Sequence, residues 1–186
     1  NKPPMAFGRP AAIPAKIRID IPLPSPRSVI CSPSHIRNIV PAVRLTIVGC
    51  SGSYPGPDSP ASCYLLEAEH EDRTWRILLD LGNGSLGALQ RYADPLAIDG
   101  VFLSHLHADH CLDLCGYYVL RKYHPRGEQP RIPVWGPAGV AARMARAYDL
   151  PERPGMTEQF DFGEYAPGAD PPAVRLGPFD VQPVPV

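Results

Sequence analysis

The sequence predicts one layered α/β domain preceded by a proline-rich leader. Short apolar and β-branched runs alternate with segments of helical period, and this order is typical of stacked sheets and helices. The length of 186 residues suits one domain. The composition, with 44% hydrophobic and 20% charged residues, is that of a globular protein. No apolar run reaches the roughly 18–20 residues that a membrane-spanning helix needs, so we expect no membrane contact.

Residues 1–42 form the predicted leader. Nine of the 25 prolines precede residue 45, and because each fixes φ and removes a backbone donor, we expect an extended or disordered segment. Residues 1–44 carry seven Lys or Arg side chains against one acid, Asp20. This charge could attract nucleic acid or anionic surfaces, although a solvated tail is the simpler interpretation. Residues 45–186 carry eleven basic and eighteen acidic side chains, which disfavours a general polyanion-binding surface.

The folded domain is predicted to span residues 43–186. Three early segments have strand composition and should pair as neighbours because short connections join them: 45–48, 62–67 and 75–80. The later elements alternate in type: helix 85–93, strand 101–103, helix 112–123, strand 132–135, helix 138–148 and a hairpin of 174–176 with 179–181. In the second helix we expect the inward face to hold Leu112, Cys115, Val119 and Leu120. The pattern after Pro151 is too weak to predict an element before the hairpin.

The strongest local signal is the run Ser104-His105-Leu106-His107-Ala108-Asp109-His110, which holds three of the six histidines of the chain. His105 and His107 would lie on one side of an extended backbone, whereas Asp109 and His110 follow a bend and can face a second point. Imidazole nitrogen and carboxylate oxygen suit zinc, and also manganese or iron. A polar loop satisfied by backbone carbonyls is the alternative, but crowding four such groups without a cation is costly. The run therefore predicts a metal site.

The run and three further segments together resemble the metallo-β-lactamase superfamily. Residues 45–53 resemble the opening strand and Gly/Ser turn of its ribonuclease Z-like and cyclic-nucleotide phosphodiesterase-like branch, residues 62–66 its second strand, and residues 78–84 its acidic first motif. The resemblance implies an αββα sandwich of which residues 43–186 supply the first half, a mixed sheet with helices on one face.

The resemblance also implies roles for five residues of this chain. His105 and His107 would bind a first zinc, and Asp109 and His110 a second; Mn²⁺ or Fe are possible in their place. Asp109 would in addition orient the attacking water or act as general base. Asp80 would steady the histidine loop, although a strand-end turn residue is the other interpretation of that carboxylate.

The chain departs from the family pattern in its later part. The family uses a further histidine, a bridging aspartate and a final histidine, but no histidine follows His124. Asp161, Asp170 and Asp180 have the wrong sequence context for the bridging aspartate. We therefore expect a fragment or a truncated product that lacks the C-terminal half and holds the first metal through two histidines only.

The predicted function is that of a metal-dependent hydrolase. The resemblance favours a phosphodiesterase that acts on a small phosphodiester such as a cyclic nucleotide, or on an RNA 3′ end, through water activated by the metal. A thioester or lactone hydrolase of the same fold is the first alternative, and an inactive fragment that serves in binding or assembly is the second. A homodimer is possible, since relatives often dimerise. A Ser–His–Asp hydrolase is disfavoured because the Gly-x-Ser-x-Gly elbow is missing.

The cysteines are expected to be structural. Five thiols cannot all pair within one chain, which argues against a disulfide framework and favours a reducing, cytoplasmic compartment. Cys50 and Cys63 should be core residues on facing strands, and Cys111 and Cys115 buried thiols rather than metal ligands. Cys31 lies in the leader and should be exposed.

Two other features remain open. His124 could reach substrate, although a cationic side chain near a helix C-terminus is the simpler account. The Gly- and Ser-rich residues 49–59 could cradle a phosphate or form a tight turn at the rim of the site. They lack the Gly-Lys-Ser/Thr ending of a nucleotide P-loop.

Overall fold

The computed structural model describes residues 16–20, 43–168 and 170–184. The strands in these ranges are β1 (Lys16–Asp20), β2 (Val43–Gly49), β3 (Cys63–His70), β4 (Arg73–Leu79), β5 (Gly100–Phe102), β6 (Ile132–Gly136), β7 (Phe160–Glu164), β8 (Val174–Leu176) and β9 (Phe179–Val184). The α-helices are α1 (Ser85–Leu89), α2 (Ala108–Cys111), α3 (Leu114–Lys122) and α4 (Val140–Ala147), with a 3-10 helix at Pro95–Ala97. None of the described helices is long and apolar enough to cross a membrane.

The main sheet is mixed and has the strand order β2-β3-β4-β5-β6-β7. Its first three strands pair antiparallel with their neighbours in the sequence, as predicted. From β4 onward the pairing is parallel, with Leu79 opposite Phe102 and Val101 opposite Val134. Parallel neighbours require crossover connections, and α1 to α4 lie in those connections. The carboxyl ends of β4 and β5 therefore meet at one edge of the sheet.

A second sheet has the order β1-β9-β8. The predicted terminal hairpin is confirmed by the antiparallel pairing of β8 with β9. Strand β1 comes from the leader and pairs antiparallel with β9, from Lys16 opposite Val184 to Asp20 opposite Asp180. The expectation that order begins at Val43 missed this strand, because its partner lies more than 150 residues away along the sequence. The remainder of the leader, with Cys31 and His35, lies outside the described residues.

The two faces of the main sheet pack against different layers. One face meets the helices in a core that includes Leu65, Leu78, Val101, Val134, Leu114, Tyr117 and Met144. The opposite face meets the second sheet in a core that includes Leu66, Ile77, Phe102, Phe179 and Val181. Adjacent residues of each strand therefore serve opposite cores, as the period of two in a strand requires. This is the predicted layered α/β arrangement with helices on one face of the mixed sheet.

Where the sequence predicted one helix over residues 112–123, the structure has two, α2 and α3, and a different set of residues faces inward. The first of them, α2, begins inside the histidine motif at Ala108. The fully buried residues of α3 are Leu114, Tyr117, Tyr118 and Arg121. The expected inward residues Leu112, Cys115, Val119 and Leu120 are only half-buried. The break before Leu114 resets the helical phase, so that Tyr117 packs on Phe160 with 5.7 Å between ring centroids.

Strand β7 is an element that the sequence pattern did not predict. Its five residues include two exposed acidic residues and a glycine, and among them only Phe160 is fully buried. The strand exists because it pairs in parallel with β6 along its whole length, from Ile132 opposite Phe160 to Gly136 opposite Glu164.

Candidate metal centre

The candidate site lies where β4 and β5 end. Asp80 follows Leu79 of β4, and Ser104 follows β5 after one further residue, Leu103. Asp80 has a φ of 59°, which turns its chain sharply out of the strand, and its backbone N–H still donates to the carbonyl of Phe102 at 2.9 Å. The histidine-rich loop thus begins beside the Asp80 carboxylate.

Asp80 is a buried hydrogen-bond acceptor for three residues of the site. It is 5% exposed. Its Oδ1 accepts from the backbone N–H of Ser104 at 2.8 Å and from the Ser104 hydroxyl at 2.9 Å. Its Oδ2 accepts from Ser62 Oγ at 3.2 Å and lies 2.6 Å from Nδ1 of His110. The carboxylate therefore ties both ends of the histidine loop to the strand from which it projects, which is the contact expected of a residue that steadies this loop.

The backbone of the loop is anchored at a close approach that only glycine permits. Gly82 N–H donates to the carbonyl of Ser62 at 2.9 Å, and Ser62 N–H donates to the carbonyl of Asp109 at 3.0 Å. Leu81 N–H donates to the carbonyl of His110 at 2.8 Å. A Cβ added to Gly82 would lie 2.0 Å from the backbone oxygen of Asp109. The Leu-Gly pair after Asp80 therefore fixes where α2 starts.

Three side chains of the motif present donor atoms to one another. One ligand atom from each of His105, His107 and Asp109 lies within 4.8 Å of the others. The rings of His105 and His107 are nearly perpendicular, with 4.8 Å between centroids. Donors bound to one zinc at about 2.0–2.1 Å lie within about 4 Å of each other. The residues present fit a divalent cation in donor type, and nearly in spacing.

His110 stands next to this trio. Its ring centroid is 3.8 Å from that of His105, and its Nε2 is 3.3 Å from Oδ2 of Asp109. Because Nδ1 faces the Asp80 carboxylate, Nε2 is the nitrogen left to bind a cation. Asp109 is therefore within contact distance both of the His105–His107 pair and of His110.

The electrostatics of the two inner imidazoles differ. Burial acts to lower the pKa of His110, but hydrogen bonding and charge from Asp80 and Asp109 outweigh it, so the pKa is raised. For His105, burial and the neighbouring His110 lower the pKa. The lowered pKa of His105 favours its neutral imidazole, which is the form that binds metal, and the raised pKa of His110 means that a cation there competes with a more tightly held proton.

Comparison with known proteins identifies the family. The model of the β-lactamase superfamily domain matches residues 75–184, more than half of the chain and the part that contains the whole motif. The chain belongs to the β-lactamase superfamily. This confirms the predicted superfamily and agrees with the observed layers of sheet and helix.

Sequence relatives within the β-lactamase superfamily include ribonucleases. An uncharacterized protein of Mycobacterium tuberculosis is 53% identical over 108 residues, 58% of this chain and 38% of that protein. A ribonuclease Z of Natronomonas pharaonis is 31% identical over 108 residues, 58% of this chain and 33% of the relative. These matches confirm the predicted ribonuclease Z-like branch. The matched segment spans only 38% and 33% of the lengths of these two relatives.

Solved structures of the superfamily share the fold over part of their length. The metallo-β-lactamase fold protein YhfI of Bacillus subtilis superimposes with a TM-score of 0.53 at 19% identity, covering 77% of this chain and 59% of that one. The short form of human tRNase Z gives a TM-score of 0.51 at 25% identity, covering 67% and 46%. The β-lactamase superfamily fold is thus present in the described part of the chain.

Other residues singled out in the sequence lie elsewhere or have other partners. His124 lines a separate cleft with Lys122 and Arg131, so the structure does not bring it to the histidine motif. The three aspartates considered for the bridging position have other partners: Asp161 pairs with Arg131, Asp170 accepts from Gln182, and Asp180 lies 3.9 Å from Arg175.

The cysteines and the Gly/Ser loop agree only in part with the predictions made for them. The four cysteines in the described ranges are free thiols. Cys63 and Cys111 are buried and Cys115 is half-buried, but Cys50 is exposed, so its predicted place in the core is wrong; it follows the last residue of β2. The Gly/Ser loop closes on itself, since Ser51 Oγ donates to the carbonyl of Ser59 at 2.6 Å.

Sequence reasoning missed the basic side chains that share a groove with the histidines. A groove of about 510 Å³ is lined by His105 and His107 and also by Arg143 and Arg146 of α4. The two arginines are three residues apart and share a helix face. Their spacing was visible in the sequence, but the neighbouring residues did not distinguish these arginines from those of an ordinary solvent-exposed helix face.

Proposed function

We propose that this chain carries the metal-binding part of a zinc-dependent hydrolase that cleaves phosphodiesters, either a cyclic nucleotide or the 3′ end of an RNA. The observation that carries the proposal is the convergence of His105, His107 and Asp109, with His110 beside them, where β4 and β5 end. The superfamily supplies the reaction class. The similarity to ribonuclease Z proteins, 31% identical in Natronomonas pharaonis, supports the phosphodiester class.

The proposed ligand roles follow the two faces of the motif. His105 and His107 would hold one cation, and Asp109 and His110 would hold a second. Zinc in these positions would supply water with a pKa lowered toward 7 and would balance charge on the phosphoryl oxygens. His110 is suited to ligation because its Nδ1 faces Asp80 at 2.6 Å, which fixes the ring and leaves Nε2 free.

Asp109 is the proposed proton acceptor. Its side chain is 17% exposed and lies between the His105–His107 pair and His110. A carboxylate in that position can orient the attacking water and accept its proton at Oδ1 or Oδ2. Asp80 is unsuited to this role because it is buried and already accepts hydrogen bonds from Ser62, Ser104 and His110.

The test compares two ester classes on the zinc-loaded chain. Bis-p-nitrophenyl phosphate represents phosphodiesters, and S-lactoylglutathione represents thioesters. We expect zinc-dependent cleavage of the phosphodiester that chelation removes and added zinc restores. Asp109→Asn should lower kcat by roughly 10²–10⁴-fold, since a general base contributes about that much. Asp161→Asn serves as the matched control, because that exposed aspartate is outside the histidine motif and pairs with Arg131.

The outcomes separate the alternatives. Preferential cleavage of the thioester would replace the phosphodiesterase proposal with a thioesterase or lactonase. Zinc binding without hydrolysis of either ester would support a binding or assembly role for this chain, which matches about a third of the length of these relatives. Equal activity of Asp109→Asn and the parent would remove Asp109 from the mechanism.

A further inference from the structure

The groove beside the histidines has one basic wall. Pro137, Ala138 and Gly139 line it before α4 begins, and α4 contributes Arg143 and Arg146. The volume of about 510 Å³ is that of a small-ligand site. Because His105 and His107 line the same groove, a ligand that contacts the histidines also faces the guanidinium groups.

The two arginines differ in how much of their charge is already neutralised. Arg146 is exposed and forms an ion pair with Glu152. Arg143 is half-buried and has no carboxylate within 4.0 Å in the described part of the chain. Glu164, which does not line the groove, accepts from the backbone N–H of Gly139 at 2.8 Å. Arg143 is therefore the cation that is left to meet an anionic ligand.

Arg143 lies close to the segment that carries the metal-binding motif. It lines the same groove as His105, His107 and Ala108, where the histidine loop enters α2. Its side chain is only partly exposed to solvent. A ligand held at the histidines therefore lies in the groove that Arg143 borders.

We propose that Arg143 binds a non-bridging phosphate oxygen of the substrate and makes this site selective for anionic phosphate esters over neutral esters. The inference rests on the proposed function, because it names the group that recognises the substrate of that same site. A guanidinium offers a planar pair of donors that matches two phosphate oxygens. A neutral thioester or lactone carries no ground-state charge for this contact to bind, whereas a phosphodiester carries its negative charge on the non-bridging oxygens of the reacting phosphate. Arg143 is a substrate-binding residue that sets specificity.

The first test measures phosphate binding without turnover. Inorganic phosphate is titrated into the zinc-free chain, and the Arg143 side-chain and α4 amide signals are followed by NMR. We expect saturable shifts in the parent and at least a tenfold loss of affinity in Arg143→Ala, with partial recovery in Arg143→Lys. Arg175→Ala, an exposed arginine on β8 in the second sheet, is the matched control and should bind like the parent. Equal binding by Arg143→Ala, or no binding by the parent, would overturn the inference.

The second test is kinetic and uses the zinc-loaded chain. Arg143→Ala should raise KM for bis-p-nitrophenyl phosphate at least tenfold and change the hydrolysis of neutral p-nitrophenyl acetate less than twofold. A parallel loss on both esters would contradict the specificity role. If the parent binds phosphate through Arg143 but cleaves neither ester, the proposed function fails while the phosphate site stands.

Discussion

Oδ2 of Asp80 lies 2.6 Å from Nδ1 of His110, and Oδ1 of the same carboxylate accepts a hydrogen bond from the backbone N–H of Ser104 at 2.8 Å. One buried side chain thus fixes both the beginning of the histidine loop and the ring near its end. The carboxylate raises the pKa of His110 against the effect of burial, so it makes that imidazole a stronger base and a better metal ligand.

Replacing Asp80 with asparagine should weaken metal binding without unfolding the chain. The amide keeps the size of the side chain but removes the charge that orients His110. Loss of a carboxylate partner of a metal-binding histidine typically lowers affinity by about 10–100-fold. Calorimetric titration with Zn²⁺ measures the change, with Asp161→Asn as the control at an exposed aspartate. Unchanged zinc affinity in Asp80→Asn would mean that the contact serves folding alone.

Gly82→Ala should destabilise the chain and displace the metal-binding loop. The new Cβ would meet the backbone oxygen of Asp109 at 2.0 Å, and backbone can give way only by moving α2. Overpacking of this kind costs about 1–3 kcal/mol. Urea unfolding gives the change in the free energy of unfolding, and zinc titration shows whether displacement of the loop weakens metal binding.

Gly87→Ala is the matched control for that experiment. Gly87 lies in α1 and has no atom within 4 Å of an added Cβ. Alanine there should be neutral or stabilise the chain by up to about 1 kcal/mol, because glycine is a poor helix former. If both glycine variants lost the same stability, the close approach of Gly82 to Asp109 would not exist in solution.

The thiols should differ sharply in alkylation. Burial raises the pKa of Cys63 to about 12, so only about one thiol in a thousand is ionised at pH 9, and the thiolate is the reactive form. Cys50 is exposed. With iodoacetamide at pH 7 to 9, peptide mass mapping should show Cys50 modified and Cys63 protected throughout, and urea should abolish the difference. Comparable labelling of both residues in the folded chain would contradict the packing of β3.

The site was predictable from sequence to the extent that it is local. His105, His107, Asp109 and His110 fall within six residues, and chain geometry alone brings such near neighbours together. Asp80 was predictable only through the family resemblance, because its contact with His110 depends on the parallel pairing of β4 with β5.

The features that escaped prediction depend on contacts between distant parts of the chain. Strand β1 is specified by its partner β9 and not by its own proline-flanked composition. The buried face of α3 is set by where the helix begins and by the packing of Tyr117 on Phe160. Arg143 faces the groove because α4 docks beside the histidines, which no local pattern records.

Crystals of the chain soaked in Zn²⁺ and measured on both sides of the zinc absorption edge test the central claim most directly. The account predicts an anomalous peak about 2.0–2.2 Å from the imidazole nitrogens of His105 and His107, with the Asp109 carboxylate beside it, and loss of that peak in a His105→Ala, His107→Ala double variant. A saturating soak that leaves these side chains without a peak, or places zinc only elsewhere, would contradict it.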